Sequence, residues 1–446
     1  MLTFYKQIKY ILFTSICQRF QKGFLIFLIL FGVLFWYDRG TIIEVTMKTN
    51  KQQELYAKIL DTIYTQRPIS RIDISKLTHI TPATVGAITK ELLSQGWIHE
   101  IGELTDHSVG RKKILLDASA NAFYFAGIEL SEKHFYLVIT DNLGTIYAKH
   151  NQQIDPSISS YYKADYISKL IQAFLKQHKH YNVQAIGIAL PGHYDRSISS
   201  STHINTNNPI WEQVDLTAIA KSFPIPVVFS NNSHCMIIAK RLYEQQAHNH
   251  NFIFFHVGRG MHCSYMYKGA IYSRHNAVVG EIGHTIINPA GELCECGKKG
   301  CLQTYASNAW LVKKAKLLHQ YAPHSHLRSL VDKACELKLD HLLIAYELGD
   351  VGVTTLIHTA IDYLVLSLSN LSLLIDTEQI YLHGRFISHP LISSKILQSL
   401  QNDIKLLSNQ KKPEIIVMPF SVYNGAVGAT GLCIDELYLN YKNKYD

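Results

Sequence analysis

Gly280-Glu281-Ile282-Gly283-His284-Thr285 and, a short way on, Cys294-Glu295-Cys296-Gly297-Lys298-Lys299-Gly300-Cys301 place three thiols and one imidazole within a single short segment. Three thiolates and an imidazole make the closed tetrahedral shell of structural Zn²⁺, with no position left for a catalytic water. His284, Cys294, Cys296 and Cys301 are therefore the expected metal ligands, and the ion organises rather than reacts. One residue separates Cys294 from Cys296, which makes a mutual disulfide awkward. Gly297 and Gly300 let the backbone turn so that the third sulfur reaches the same point. The competing reading is a set of buried free cysteines or a redox pair.

Outside this cluster, Cys17, Cys235, Cys263, Cys335 and Cys433 are scattered without framework spacing, as expected in a reducing compartment, the cytoplasm. A length of 446 residues allows two or three domains. The net charge of +8 is too small for that length to identify an anionic partner.

Residues 1–46 differ from the rest. Gly23 to Tyr37 reads GFLIFLILFGVLFWY, an uncharged run of 15 residues between Lys22 and Asp38. A bilayer-spanning helix wants about 20 such residues, and a tilted or thinned bilayer accepts fewer. Lys6, Lys9, Arg19 and Lys22 would hold the N-terminus in the cytoplasm and send the remainder outward. A signal peptide lacks a good cleavage site at Asp38-Arg39-Gly40. Two readings stay open: a membrane segment over 23–37, or a native start at Met47 behind a translated upstream segment.

From Lys51 the pattern is helical and compact. Leu55, Ile59 and Ile63 recur at helical spacing until Arg67-Pro68. Ser70 and Asp73 form a capping box for a second helix carrying Ile72, Ile74 and Leu77. Thr81 as N-cap and Pro82 as first residue start a third, running to about Ser94 and stopping at Gly96, with Val85, Ile88, Leu92 and Leu93 inward. This is a helix-turn-helix, whose second helix offers Thr81, Ala83, Thr84 and Ala87 to the major groove, with Lys90 nearer the backbone. Trp97–Ile101 and Lys113–Leu116 read as wing strands around a basic tip in which Arg111 and Lys112 reach phosphate or a narrow A·T minor groove. The expected domains are a winged helix-turn-helix over 47–118 and an α/β domain over 119–446. The alternative is a protein-docking module with a solvated turn.

Beyond Phe123, strands at 123–130, 135–140, 185–190, 227–230, 252–257 and 379–382 alternate with helices, which implies an α/β architecture. Gly280 to His284, the cysteine cluster, Leu190-Pro191-Gly192 and Gly425-Ala426-Val427-Gly428-Ala429 together resemble the ROK family of sugar kinases and sugar-responsive repressors, over about residues 50–435. The helix-turn-helix in front resembles the N-acetylglucosamine- and glucose-responsive repressor branch.

The resemblance implies a two-lobed actin/hexokinase-like (ribonuclease H-like) domain behind a winged helix. In family kinases an aspartate deprotonates the sugar; Asn231-Asn232-Ser233-His234 puts an amide, Asn232, at that place. The phosphate loop is matched only by Gly127-Ile128-Glu129-Leu130-Ser131. Gly258 and Gly260 persist, but His262 and Cys263 stand where small residues admit phosphate, and His383-Gly384-Arg385 replaces a glycine run.

On the sugar side the resemblance implies Asn207, Glu281 and His284, with Gln303 where a glutamate is usual and Asn232 retained for binding. Capping or surface roles are the alternative for Asn207 and Glu281. The expected function is a sugar-responsive repressor of carbohydrate genes with no catalytic activity. It would act as a homodimer or tetramer on an A·T-rich operator, with a sugar or sugar phosphate as effector. The resemblance also raises a phosphotransferase-system transporter subunit as partner. An active sugar kinase and a membrane-tethered sensor are the alternatives.

Overall fold

The computed structural model describes residues 33–38, 41–46, 49–103, 113–131, 134–154, 160–192, 194, 204, 211, 214–244, 251–272, 276, 278–401 and 411–439. The chain forms two compact units, Met1–Lys58 and Ile59–Asp446, divided inside the helix Asn50–Gln66.

In the first unit, Val33–Asp38 pairs antiparallel with Thr41–Thr46. Residues 33–37 of the apolar run thus stand in a strand, where a membrane helix was one expectation. Phe35, Trp36, Tyr37, Ile42, Ile43 and Val45 are aromatic or β-branched and favour the pleated conformation. Residues 23–32 lie outside the described residues.

The second unit begins with the end of that helix, whose Ile59, Leu60 and Ile63 are fully buried. Helices Arg71–Thr78 and Pro82–Ser94 follow at the expected places. Ser70 caps the first, accepting from the Asp73 backbone N–H and donating to the Asp73 carboxylate at 2.6 Å. Thr81 caps the second, with Pro82 in its first turn. Val85 and Leu92 are buried, while Ile88 and Leu93 are half-buried. Ile98–Glu103 and Ile114–Ala118 pair antiparallel as the wing, and Ile69–Ser70 adds a third strand.

The remainder is two lobes built alike. One sheet has the order Val227–Asn231, Ala185–Leu190, Tyr124–Leu130, His134–Asp141, Ile146–Gln153. The other has the order Ala270–Ile271, Met261–Tyr267, Phe252–Val257, Gln379–His383, Glu414–Val417. In each, the first strand in sequence is central. The next two run antiparallel outward on one side, and the last two run parallel to the first on the other. Parallel strands need crossovers, which brings helices onto the sheets.

Helices Asn232–Tyr243 and Asn424–Ile434 pack on each other and on the first sheet. That close approach explains two glycines. Gly127 and Gly187 are register partners on adjacent strands, and a Cβ on either would collide with the carbonyl of Ala426 or Ala429. The helix Val351–Leu374 is long and apolar enough to cross a membrane. Its Val353, Ile357, Ile361, Leu364 and Leu368 recur at helical spacing and are buried in the second lobe's core.

Candidate effector cavity and cysteine knuckle

Between the lobes lies a cavity of about 480 Å³. On the first-lobe side, Glu129 stands near the end of the central strand Tyr124–Leu130, and Asn232 is the first residue of the helix that follows the strand Val227–Asn231. Asn232 Nδ2 donates to Glu129 Oε1 at 3.2 Å. Glu129 keeps some accessible surface because it borders the cavity. Burial nonetheless pushes its carboxyl up to about 7, opposed by the N–H of Gly425. A charge at an edge of that buried strand costs solvation, so the proton is retained to higher pH. Tyr136 and Ser131 complete this wall.

On the second-lobe side, Glu281 borders the cavity and burial pushes its carboxyl up to about 7. Gly280 precedes it with φ +98°, where a Cβ would strike the carbonyl of Cys263. Glu281 Oε1 is 4.0 Å from His262 Nε2, and Oε2 is 3.9 Å from His284 Nε2. His284 is not among the cavity-lining residues; it faces them through Glu281.

The other His284 nitrogen points to the cysteines. His284 Nδ1 is 3.6 Å from Cys294 Sγ, Cys296 Sγ is 3.6 Å from Cys301 Sγ, and one ligand atom from each of the four residues lies within 4.8 Å of the others. Tetrahedral coordination with Zn–S near 2.3 Å sets sulfurs about 3.8 Å apart, so the donor set fits one such ion. Cys294 N–H donates to the Lys298 carbonyl at 2.8 Å, and Gly297 N–H to the Cys294 carbonyl at 2.9 Å, closing the knuckle. Gln303, expected beside the ligand, is turned into this knuckle. Its Nε2 donates to Cys294 Sγ at 3.2 Å and to Glu295 Oε1 at 3.1 Å, because a sulfur and a carboxylate are the acceptors within its reach.

At the ends of two neighbouring parallel strands, register partners His256 and His383 meet. His256 and His383 stack with centroids 5.1 Å apart and Nδ1 atoms 2.9 Å apart. Burial holds His256 well below the usual imidazole range and lowers His383. Arg385 binds Asp340 through Nε and Nη2, each at 2.9 Å.

On the DNA-reading segment, Thr81, Ala83, Ala87 and Lys90 are exposed, as a groove-reading face requires. Thr84 is half-buried, and its hydroxyl lies 2.9 Å from that of Thr81. Arg111, Lys112 and Asn207 lie outside the described residues. Sequence reasoning took Glu129 only as a remnant of a phosphate loop and missed Asn308 and Tyr136. The signal for Glu129 was available, an acid inside the apolar run 123–130. Asn308 and Tyr136 reach the cavity only through the chain's path. The bond from Arg241 Nη2 to both oxygens of Asp61, at 2.6 Å each, was likewise illegible.

A model of the MarR family matches residues 56–101. The xylose repressor of Bacillus subtilis strain 168 is 25% identical over 364 residues, 78% of this chain and 89% of that protein. The DNA-binding transcriptional dual regulator NagC of Escherichia coli K12 is 27% identical over 248 residues, 54% of this chain and 59% of that protein.

Among solved structures, a ROK family transcriptional regulator described as a homolog of the E. coli MLC protein has a TM-score of 0.71 at 22% identity, covering 87% of this chain and 97% of that one. A ROK family glucokinase from Streptomyces griseus, in complex with glucose and AMPPNP, has a TM-score of 0.59 at 20% identity, covering 69% of this chain and 98% of that one. These likenesses show the fold: a winged helix ahead of a two-lobed hexokinase-like domain. The ROK family model itself spans residues 125–436, both five-stranded sheets, the cavity between them and the cysteine knuckle; the chain belongs to the ROK family.

Proposed function

We propose that this protein is a sugar-responsive, DNA-binding transcriptional repressor without kinase activity. One observation carries the reading: Asn232, which the family resemblance puts where kinases carry their catalytic aspartate, is an amide, and its Nδ2 donates to Glu129. An amide cannot accept the proton, and the cavity is bordered by the His256–His383 stack and by Arg385, which pairs with Asp340, in place of the glycine run that the family resemblance implies for a nucleotide. What remains is a polar cavity suited to a small ligand, in one chain with an exposed recognition helix.

Glu281, Asn232 and Asn207 hold the sugar, and Gln303 and His284 support the wall behind it. His284, Cys294, Cys296 and Cys301 hold a structural zinc that fixes the loop bearing Glu281. Thr81, Ala83, Thr84, Ala87 and Lys90 face the operator, with Arg111 and Lys112 at the wing tip. The domain boundary falls near residue 118, and the protein works in the cytoplasm, where its thiols stay reduced. A two-fold assembly reads two half-sites one helical turn apart.

The test is selection of bound duplexes from a random pool by the purified chain, followed by sugar challenge. Enrichment of an A·T-rich palindrome, release by a sugar, and no sugar-dependent ATP turnover are expected. ATP turnover on sugar addition, or no enrichment over random duplex, overturns the reading.

A further inference from the structure

We propose that the cavity between the lobes selects an uncharged, hydroxyl-rich ligand, a free monosaccharide, against its phosphate ester, and that Asn308 is one of the groups making that selection. The inference rests on the reading of the chain as a sugar-responsive regulator and decides which chemical form the effector takes.

Acceptors border the cavity from both lobes. Glu129 and Glu281 border the cavity from opposite lobes. Asn232 and Asn308 also border it, and the Oδ1 of each is buried with no hydrogen-bond partner. Asn308 follows Ser307, the N-cap of the helix Asn308–Tyr321, and its backbone N–H donates to the Gly258 carbonyl at 2.9 Å. Backbone bonding therefore sets its place and leaves the side chain for a ligand. A buried acceptor without a partner is destabilising until a donor arrives. Sugar hydroxyls are donors, whereas a phosphate dianion brings only acceptors to the same atoms.

The cations are badly placed for a phosphate. Arg385 is committed to Asp340 through two nitrogens. Arg259 is exposed at the rim. The 2.9 Å approach of the His256 and His383 Nδ1 atoms needs one donor and one acceptor, so at least one ring is neutral. A dianion placed between Glu129 and Glu281 meets two acidic groups, and the imidazole bordering the cavity there, His262, already lies 4.0 Å from Glu281, an arrangement that disfavours an anionic ligand.

The experiment is calorimetric titration of the full chain, with its metal content verified, against D-xylose, D-glucose and N-acetylglucosamine, and against glucose 6-phosphate and N-acetylglucosamine 6-phosphate. A sugar that binds is expected to bind about 100-fold tighter free than phosphorylated, as expected when buried polar groups lose their partners. Asn308→Leu is expected to weaken the free sugar about 10-fold or more without lowering metal content or melting temperature, since a lost ligand hydrogen bond is worth at least that in a buried site. Asn308→Ser, smaller and still polar, serves where the leucine variant fails to fold and carries the same expectation. Equal or tighter binding of a phosphate ester overturns this proposal alone. So does unchanged affinity in a folded Asn308 variant. Binding of neither form, in a protein that still selects a duplex, overturns the sugar-responsive reading and this proposal with it.

Discussion

The two walls of the cavity each present a carboxyl pushed up to about 7, but they are held in place by different means. Glu129 and Asn232 sit on the ends of regular elements, and glycine-enabled contact between Asn424–Ile434 and the first sheet fixes their spacing. Glu281 caps a 3-10 turn, Ile282–His284, followed by the cysteine knuckle, whose backbone is tied by turns and the isolated bridges Ile286–Cys301 and Leu293–Lys299 instead of by a named strand or long helix. A packed helix-sheet wall keeps its shape through buried surface. A loop wall of this kind needs a cross-link, and the His284-Cys294-Cys296-Cys301 donor set is placed to supply one. The walls also differ in what they touch. The helix beginning at Asn232 ends near Arg241, which grips Asp61 in the helix leading into the DNA-reading segment.

The largest expected effect separates the walls directly. Cys294→Ser, or metal removal by a chelator, leaves three ligands or none, and structural zinc is worth on the order of 10 kcal/mol to the segment it folds. Hydrogen exchange is expected to accelerate across residues 281–303 and to stay slow in 124–130 and 232–243, with sugar binding lost. Uniform loss of protection in both walls would break the contrast.

Next is the packed wall. Gly187→Ala puts a Cβ into the Ala429 carbonyl and is expected to cost about 1–3 kcal/mol of overpacking in denaturant unfolding, without changing metal content.

Arg241→Met is expected to cost about 1–2 kcal/mol. That is less than a fully buried pair loses, because Asp61 keeps 29% side-chain exposure and finds water. If the first wall is the one in touch with the DNA-reading segment, this variant weakens the effect of sugar on duplex binding more than it weakens sugar binding itself. Equal losses in both assays would remove that asymmetry.

The smallest effect is a slope with pH. Burial pushes the Glu129 carboxyl from its ordinary 4.5 up to about 7, so the folded state holds the proton longer than the unfolded one. Its contribution is therefore most favourable at low pH and falls as pH rises from about 4.5 to about 7, levelling above that. Glu129→Gln cannot titrate, so its melting temperature relative to the unsubstituted protein is expected to rise across that window. A constant difference from pH 5 to 8 would show that Glu129 is ionised throughout.

Much of this site was legible in the residues. The Cys-His cluster was readable because thiols and imidazole at such spacing have few other uses. The capped helices were readable because Ser70, Asp73, Thr81 and Pro82 act on their own neighbours in the chain. Gln303 was not readable: which way a buried amide turns depends on acceptors brought by Cys294 and Glu295, and sequence distance does not say that they are nearer than a ligand. Of the 23–37 run, residues 33–37 stand in the strand paired with 41–46, and residues 23–32 lie outside the described residues.

By itself the sequence determined the order of elements and the grouping of His284 with Cys294, Cys296 and Cys301, since each is set by side-chain chemistry and neighbours along the chain. Only the tertiary structure decided that Glu129 and Glu281 share one cavity, that Asn308 borders it, that His256 meets His383 and that Arg241 reaches Asp61. Those pairings join residues far apart in the chain, and their closeness follows from two duplicated sheets and a C-terminal helix folding back on the first of them.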